Sequence, residues 1–286
     1  MADADSSTAN LHNLSDTSAG NEMTVHPTAV IDSQATVDPS SVIEPHVVIT
    51  GPVRIGPGCH VGASAVILGN TVIGAGCQIH SHAVIGGLPQ DHAYHGGESY
   101  CQIGEACIIR EGVTIHRGTA SGSVTTVGAR CFLMTNCHVA HNCEIGDEVT
   151  IVSGALLAGY VRVGPRAVIS GNAAIHQFVR IGELAMVSGL ARIVQDVPPF
   201  FMTGKDGTVV AENRVGLMRA KLSSLERKEI KAAFRIIYRS GIGHDEAVDQ
   251  LSGFISSDAG RRLLEFMAAG SKRGLARDSI RLRRAA

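Results

Sequence analysis

Residues 25–85 read VHPTAVIDSQATVDPSSVIEPHVVITGPVRIGPGCHVGASAVILGNTVIGAGCQIHSHAVI. Every sixth position in this stretch is a branched apolar residue: Val25, Ile31, Val37, Ile43, Ile49, Ile55, Val61, Ile67, Ile73, Ile79 and Ile85. The phase returns at Ile103, Ile109 and Ile115 and resumes from Val127 to Ile193. Of 29 such slots, 26 hold Val, Ile or Leu. The misses are Asp91, Gly97 and Ser121, so loops are expected to leave the repeat in two places only. Four residues after each large slot stands a small one, as at Ala29, Ala35, Ser41, Cys59, Ala65 and Cys77. A period of six fits neither the 3.6 of a helix nor the 2.0 of a plain strand. It fits short strands joined by tight turns, with every sixth side chain filling a narrow prism. Gly56-Pro57-Gly58 and Gly164-Pro165 occupy turns, where a positive or a fixed φ is needed.

This pattern resembles the hexapeptide repeat of the left-handed parallel β-helix proteins. The expected fold class is therefore all-β, a left-handed parallel β-helix (hexapeptide-repeat solenoid) with a C-terminal α-helical domain. The resemblance supplies the hand, because parallel crossovers are otherwise right-handed. Three hexads make a coil of 18 residues, and the regular hexads give about nine coils stacked at roughly 4.8 Å. Residues 1–22 are polar, lack periodicity and read as a disordered extension, with Met23 as an alternative start. Residues 23–202 form the β-helix, with excursions near 87–102 and 119–126. Paired prolines at Pro198 and Pro199 close it. Residues 203–286 form a helical domain with a basic tail. Helices are expected over 211–222, from the capping box Ser223-x-x-Glu226 to Gly241, over 244–254 and over 259–269. The second of these carries Leu225, Ile230, Ala233, Phe234 and Ile237 on one face.

The chain has 286 residues, 44% of them hydrophobic, and no apolar run of membrane-spanning length. Its acidic, polar start is no secretory signal. All seven cysteines fall in the small slot and read as core filler. Cys131, Cys137 and Cys143, six apart, face three different ways, so no shared metal is expected from them. Reduced thiols fit a cytoplasmic setting. From Gly216 to Ala286 there are 15 Lys and Arg against 8 Asp and Glu, a net of +7 in a chain of net −1, suited to an acidic partner.

The most informative local run is Met134-Thr135-Asn136-Cys137-His138-Val139-Ala140-His141-Asn142-Cys143. His138 and His141 flank the buried slot at Val139, so both are expected to face outward near a corner of the prism. Residues 18 apart stack on successive coils, which puts His141, Gly159 and Gln177 in one column spanning roughly 10 Å. That height suits an extended ligand along the prism wall. The excursion at 87–102, with Gln90, Asp91, His92, Tyr94 and His95, reads as functional, since the solenoid does not need it.

Ile115-His116-Arg117-Gly118-Thr119, His138-Val139-Ala140-His141, His176-Gln177-Phe178, Gln195-Asp196-Val197-Pro198-Pro199, Gly216-Leu217-x-Arg219 and Ile236-Ile237-Tyr238-Arg239-Ser240-Gly241 follow one another in this order. The series resembles the acyl-carrier-protein–UDP-N-acetylglucosamine O-acyltransferase family of lipid A biosynthesis, over about residues 24 to 250. The resemblance implies that His141 is a general base taking the proton of a sugar 3-hydroxyl, which attacks the thioester of a 3-hydroxyacyl carrier protein. Imidazole suits that task near neutral pH. It implies that the Gly159 N–H faces the oxyanion. His116, His138, His176 and Gln177 match substrate-binding positions, and Gln90 and Asp91 match a sugar-side loop. Asn213 and Arg219 match nucleotide contacts, Arg219 being suited to a diphosphate. Gly189 matches the position that gauges acyl length. The implied partners are acyl carrier protein, a UDP-sugar and two further copies in a homotrimer with sites between subunits. No cofactor, metal, nucleic acid or integral membrane segment is implied.

The sequence departs from that family's pattern at Ala93, where lysine is usual, at Asn142, where Asp often follows the base, and at Tyr160, Val215 and Ala220. Two other enzymes remain open at this point. One is a sibling acyltransferase with an amino-sugar acceptor. The other is a zinc enzyme like the γ-carbonic anhydrases, using His116, His138 and His141. A non-catalytic solenoid is the third reading.

Overall fold

The computed structural model describes residues 24–278. The extension over 1–22 and the end of the basic tail lie outside the described residues. Most strands are two residues long, and each pairs in parallel with the strand one coil away, as Val42 and Ile43 do with His60 and Val61. The described residues form three sheets of 11, 9 and 8 strands, one per face of a left-handed β-helix prism. In each two-residue strand of the prism one side chain points inward and one outward. Ile43, Ile49, Ile55, Ile67, Ile73 and Ile79 are all almost fully buried along the axis. The small slots are equally buried, and Cys59, Cys77, Cys107 and Cys131 follow one another up the first face as free thiols.

Two kinds of glycine make the coils stack. Gly58 has φ +65°, the left-handed corner conformation. Gly164 does not; a Cβ there would stand 2.5 Å from the backbone N of Glu183 on the next coil, so this glycine allows close approach. The corner conformation is also taken by residues with side chains, among them His46 (φ 60°), Tyr160 (φ 60°) and Phe178 (φ 68°). Tyr160 and Phe178 stack from adjacent coils, with centroids 5.1 Å apart.

The two excursions are insertions of whole hexads. Strand partners lie 18 residues apart in ordinary coils but 30 apart from Asn70 to Tyr100 and 24 apart from Thr114 to His138. The surplus is a multiple of six each time, so the phase survives. The insertions pack on each other. Arg117 N–H donates to Gly87 O, Gly118 N–H to Tyr100 O, and Gly122 N–H to Glu98 O.

Past the prolines, strands Phe201–Thr203 and Val209–Glu212 form an antiparallel hairpin that extends the first sheet. The helices are α1 (Arg214–Arg219), α2 (Ser224–Arg239), α3 (His244–Phe254) and α4 (Asp258–Ala268). The helix expected over 211–222 is thus shorter, because Ala211 belongs to the hairpin. The capping box at Ser223 and Glu226 is present. Leu225 departs from the expected buried face; it is 54% exposed in the first turn of α2, while Ile230, Ala233, Phe234 and Tyr238 are buried. Phe201 packs edge-on to Phe234 and Tyr238, which fastens the helices to the end of the prism.

Candidate active site

His141 stands at the corner between the second and third faces, in the turn that joins the strand His138–Val139 to the strand Glu144–Ile145. It points away from the prism axis into an outer groove, but it does not face solvent; it is only 5% exposed. The insertions cover it. Asp91, from the first, brings Oδ2 to 3.3 Å from Nε2. Thr119, from the second, brings Oγ1 to 2.7 Å from Nδ1. Tyr160 closes a third side, edge-on with centroids 5.3 Å apart.

One oxygen decides what the inner ring nitrogen carries. Asn142 Oδ1 accepts from the Thr119 backbone N–H at 3.0 Å, and an N–H can only donate, so the amide orientation is settled. The same Oδ1 lies 3.0 Å from His141 Nδ1. A bare ring nitrogen would oppose its lone pairs there, so Nδ1 carries a hydrogen, while the Asp91 carboxylate beside Nε2 stands where a proton received by that nitrogen is held.

Gly159 lies directly beneath the ring. The Tyr160 N–H donates to His141 O and the Phe178 N–H to Gly159 O, so the column His141–Gly159–Gln177 is formed as the spacing requires. Among the described residues no main-chain carbonyl takes the Gly159 N–H. Beside this column runs a groove of about 520 Å³. Gln90, Asp91, His138, His141, Gly159 and Gln177 line it, together with Leu156 and Ala174, the outward residues that follow His138 up the second face.

Not every expected residue lies there. His116 sits behind the groove wall, its ring edge-on to His138 with centroids 4.9 Å apart. Its Nδ1 is buried without a partner among the described residues. Burial, and then the neighbouring His138 and His141, pushes its pKa down to about 4. His138 is lowered too, by burial and then by His141, and its Nδ1 is 2.7 Å from Thr114 Oγ1. His176 is exposed at the next corner and lines no part of the groove. Asn213, expected to meet a nucleotide, is the buried N-cap of α1: Oδ1 accepts from the Gly216 N–H and Nδ2 donates to Leu184 O. Arg219 is exposed at the end of that helix. Gly189 stacks one coil beyond Gly171, and a Cβ there would meet nothing closer than 3.5 Å. The backbone therefore does not demand glycine at this position. A second cavity, about 400 Å³ between Ile237, His244, Met267 and Asp278, brings none of the expected residues together.

Thr119 and Leu156 escaped the sequence reading as site residues. Thr119 lies in the aperiodic insertion, where spacing carries no direction. Leu156 was legible, being 18 residues after His138.

A hexad prism with a buried histidine over a glycine, beside a groove on an outer face, defines a hexapeptide-repeat acyltransferase. Residues 52–87 and 125–159 match the bacterial transferase hexapeptide family. Residues 196–276 match the second domain of UDP-N-acetylglucosamine O-acyltransferase. A relative from Syntrophobacter fumaroxidans, an acyl-[acyl-carrier-protein]–UDP-N-acetylglucosamine O-acyltransferase, is 40% identical over 258 residues, covering 89% of this chain and all of its own length. A Synechocystis relative of the same name is 44% identical, but the match spans 61% of that protein. The Francisella novicida UDP-N-acetylglucosamine acyltransferase superposes with a TM-score of 0.86 at 34% identity, over 89% of this chain and 94% of that one. The Moraxella catarrhalis UDP-N-acetylglucosamine O-acyltransferase gives 0.84 at 35%, over 88% and 99%. The chain belongs to the acyl-[acyl-carrier-protein]–UDP-N-acetylglucosamine O-acyltransferase family.

Proposed function

We propose that His141 is the general base in the reaction of this family, the transfer of a 3-hydroxyacyl chain from acyl carrier protein to the 3-hydroxyl of UDP-N-acetylglucosamine that opens lipid A biosynthesis. The observation that carries the proposal is the convergence of both insertions on one imidazole, with Nδ1 protonated and Nε2 turned to the groove. Nε2 takes the sugar O3 proton as O3 bonds to the thioester carbonyl carbon. The carbonyl electrons move onto oxygen, where the Gly159 N–H donates to them. As the intermediate collapses, the C–S bond breaks and the carrier thiolate takes the proton back from Nε2. Asp91 lies beside Nε2 and stabilises the imidazolium between those two events. It thereby supplies, from the loop, the carboxylate that Asn142 does not.

The apolar column Leu156–Ala174 and the side-chain-free corner at Gly189 suit the acyl chain. Gln90 and Gln177 line the sugar end of the groove, His138 its wall, and exposed His176 and Arg219 are left for parts of the substrate beyond it. Asn213 would act on a nucleotide through the α1 terminus that it caps.

A homotrimer is supported by the outer faces. From Ile108 onward the first face presents Phe132, Thr150, Val168, Met186 and Met202 in register, and the early coils of the second face present Val30, Val48, Val66 and Val84. The third presents Gln102, Thr126, Glu144, Arg162 and Arg180. Apolar stretches on two faces and a polar third face suit three copies about an axis parallel to the prisms. Among the described residues no helix is long and apolar enough to cross a membrane, and all seven cysteines are free thiols; both suit work in the cytoplasm. The net positive charge after Gly216 suits an acidic carrier protein. We read the domains as 1–22, 23–202 and 203–286, with the 201–212 hairpin as the seam.

Substituting His141→Ala and assaying acyl transfer from 3-hydroxyacyl carrier protein tests the proposal. It predicts a loss of roughly 10³-fold in kcat.

A further inference from the structure

We infer that Thr119 is a positioning residue for His141, and that with Asn142 it does with neutral groups what a single carboxylate at Nδ1 would do. The inference rests on His141 being the base. The ordinary coil has no place for Thr119, which belongs to the six residues added between Thr114 and His138. Those residues are anchored to the first insertion, and they deliver a buried hydroxyl to the inner nitrogen of the ring. Thr119 makes two contacts there. Its hydroxyl lies 2.7 Å from Nδ1 and its N–H holds Asn142 Oδ1, itself 3.0 Å from Nδ1. The Asn142 backbone is held in turn, its N–H donating to Thr125 Oγ1 at 2.7 Å.

The consequence is chemical. The hydroxyl and the amide oxygen both accept from Nδ1–H and so favour the tautomer with its lone pair on Nε2, against the Asp91 carboxylate, which favours a hydrogen there. Without Thr119 Oγ1, the tautomer with hydrogen on Nε2 gains ground, and that form cannot take a proton from the sugar. The imidazolium formed in the reaction must keep hydrogen on Nδ1, so it also loses an acceptor. A carboxylate in place of Asn142 would act oppositely, adding charge that stabilises the imidazolium.

The test compares the wild type with Thr119→Val, Thr119→Ser, Asn142→Asp and His141→Ala, using UDP-N-acetylglucosamine and a 3-hydroxyacyl carrier protein. Thr119→Val is expected to lower kcat roughly 10- to 100-fold with KM for the UDP-sugar within about twofold, and Thr119→Ser to restore most of it. The acid limb of the kcat/KM profile is expected to move to lower pH in Thr119→Val and to higher pH in Asn142→Asp. A purely structural Thr119 predicts neither shift. Thr119→Val turning over like the wild type while His141→Ala is inactive overturns this inference and leaves the base in place. Serine failing to rescue, or an unmoved limb in Asn142→Asp, also overturns it. Wild-type turnover by His141→Ala removes the base and this inference together.

Discussion

A Cβ placed on Gly159 would stand 2.4 Å from Cε1 and 2.5 Å from Nε2 of His141 on the preceding coil. The imidazole rests on the glycine, and no other residue leaves it that place. Gly159→Ala keeps the backbone N–H and the coil, so its effect isolates the position of the ring. It is expected to cost roughly 10²-fold in kcat, with little loss of melting temperature. Steady-state kinetics beside thermal unfolding checks this; unchanged kcat would mean that the ring need not sit there.

Gly189 poses the opposite case, since a Cβ there has room. Gly189→Met is expected to leave the fold intact and shorten the accepted chain. Its kcat/KM for the longest wild-type acyl donor should fall roughly 10- to 200-fold relative to shorter donors. A series of 3-hydroxyacyl carrier proteins of increasing length measures the ratio, and parallel profiles for the two proteins would refute the assignment.

His116 predicts a pH effect on stability. Its folded pKa is depressed to about 4 from 6.5. Below pH 6.5 the unfolded chain takes up a proton that the folded chain refuses until about pH 4. Stability is therefore full above that window and declines through it as pH falls, by at most about 3 kcal/mol from this group. His138 contributes with the same sign. His116→Phe, which also removes the unpaired Nδ1, should flatten the slope between pH 6.5 and 4. Denaturant unfolding at several pH values reads it; an unaltered slope would place the acid sensitivity elsewhere.

Asp196 is fully buried and accepts from Arg180 through both its backbone N–H (2.8 Å) and Nε (2.7 Å). Its own backbone pairs with Gly274 and Ala276, so it ties the end of the prism to the segment after α4. Asp196→Ala takes the carboxylate from a mostly buried guanidinium, leaving it only the Ala269 carbonyl and the Phe266 ring, and is expected to cost about 3–5 kcal/mol in urea unfolding. A loss below about 1 kcal/mol would show that the tie is dispensable.

The fold was legible because its rule is local. One residue in six must fill a prism, and Val25 to Ile193 obey it wherever the chain coils. The column His141–Gly159–Gln177 followed from the same count. What spacing could not reveal is where the chain goes once it leaves the repeat. Both insertions keep the phase, so the sequence shows that they exist, but only three-dimensional packing shows Asp91 and Thr119 meeting on one ring and burying it. The capping role of Asn213 was hidden for a related reason. An exposed amide and a helix cap look alike in sequence until the start of the helix is known, and the hairpin through Ala211 moved that start.

The central claim is that this enclosed imidazole removes the sugar proton. The most direct test is the single-turnover rate of acyl transfer from 3-hydroxyacyl carrier protein to UDP-N-acetylglucosamine by His141→Ala, under conditions where the variant shows the wild-type melting temperature. The account predicts a rate roughly 10³-fold below wild type. A rate equal to wild type would contradict it.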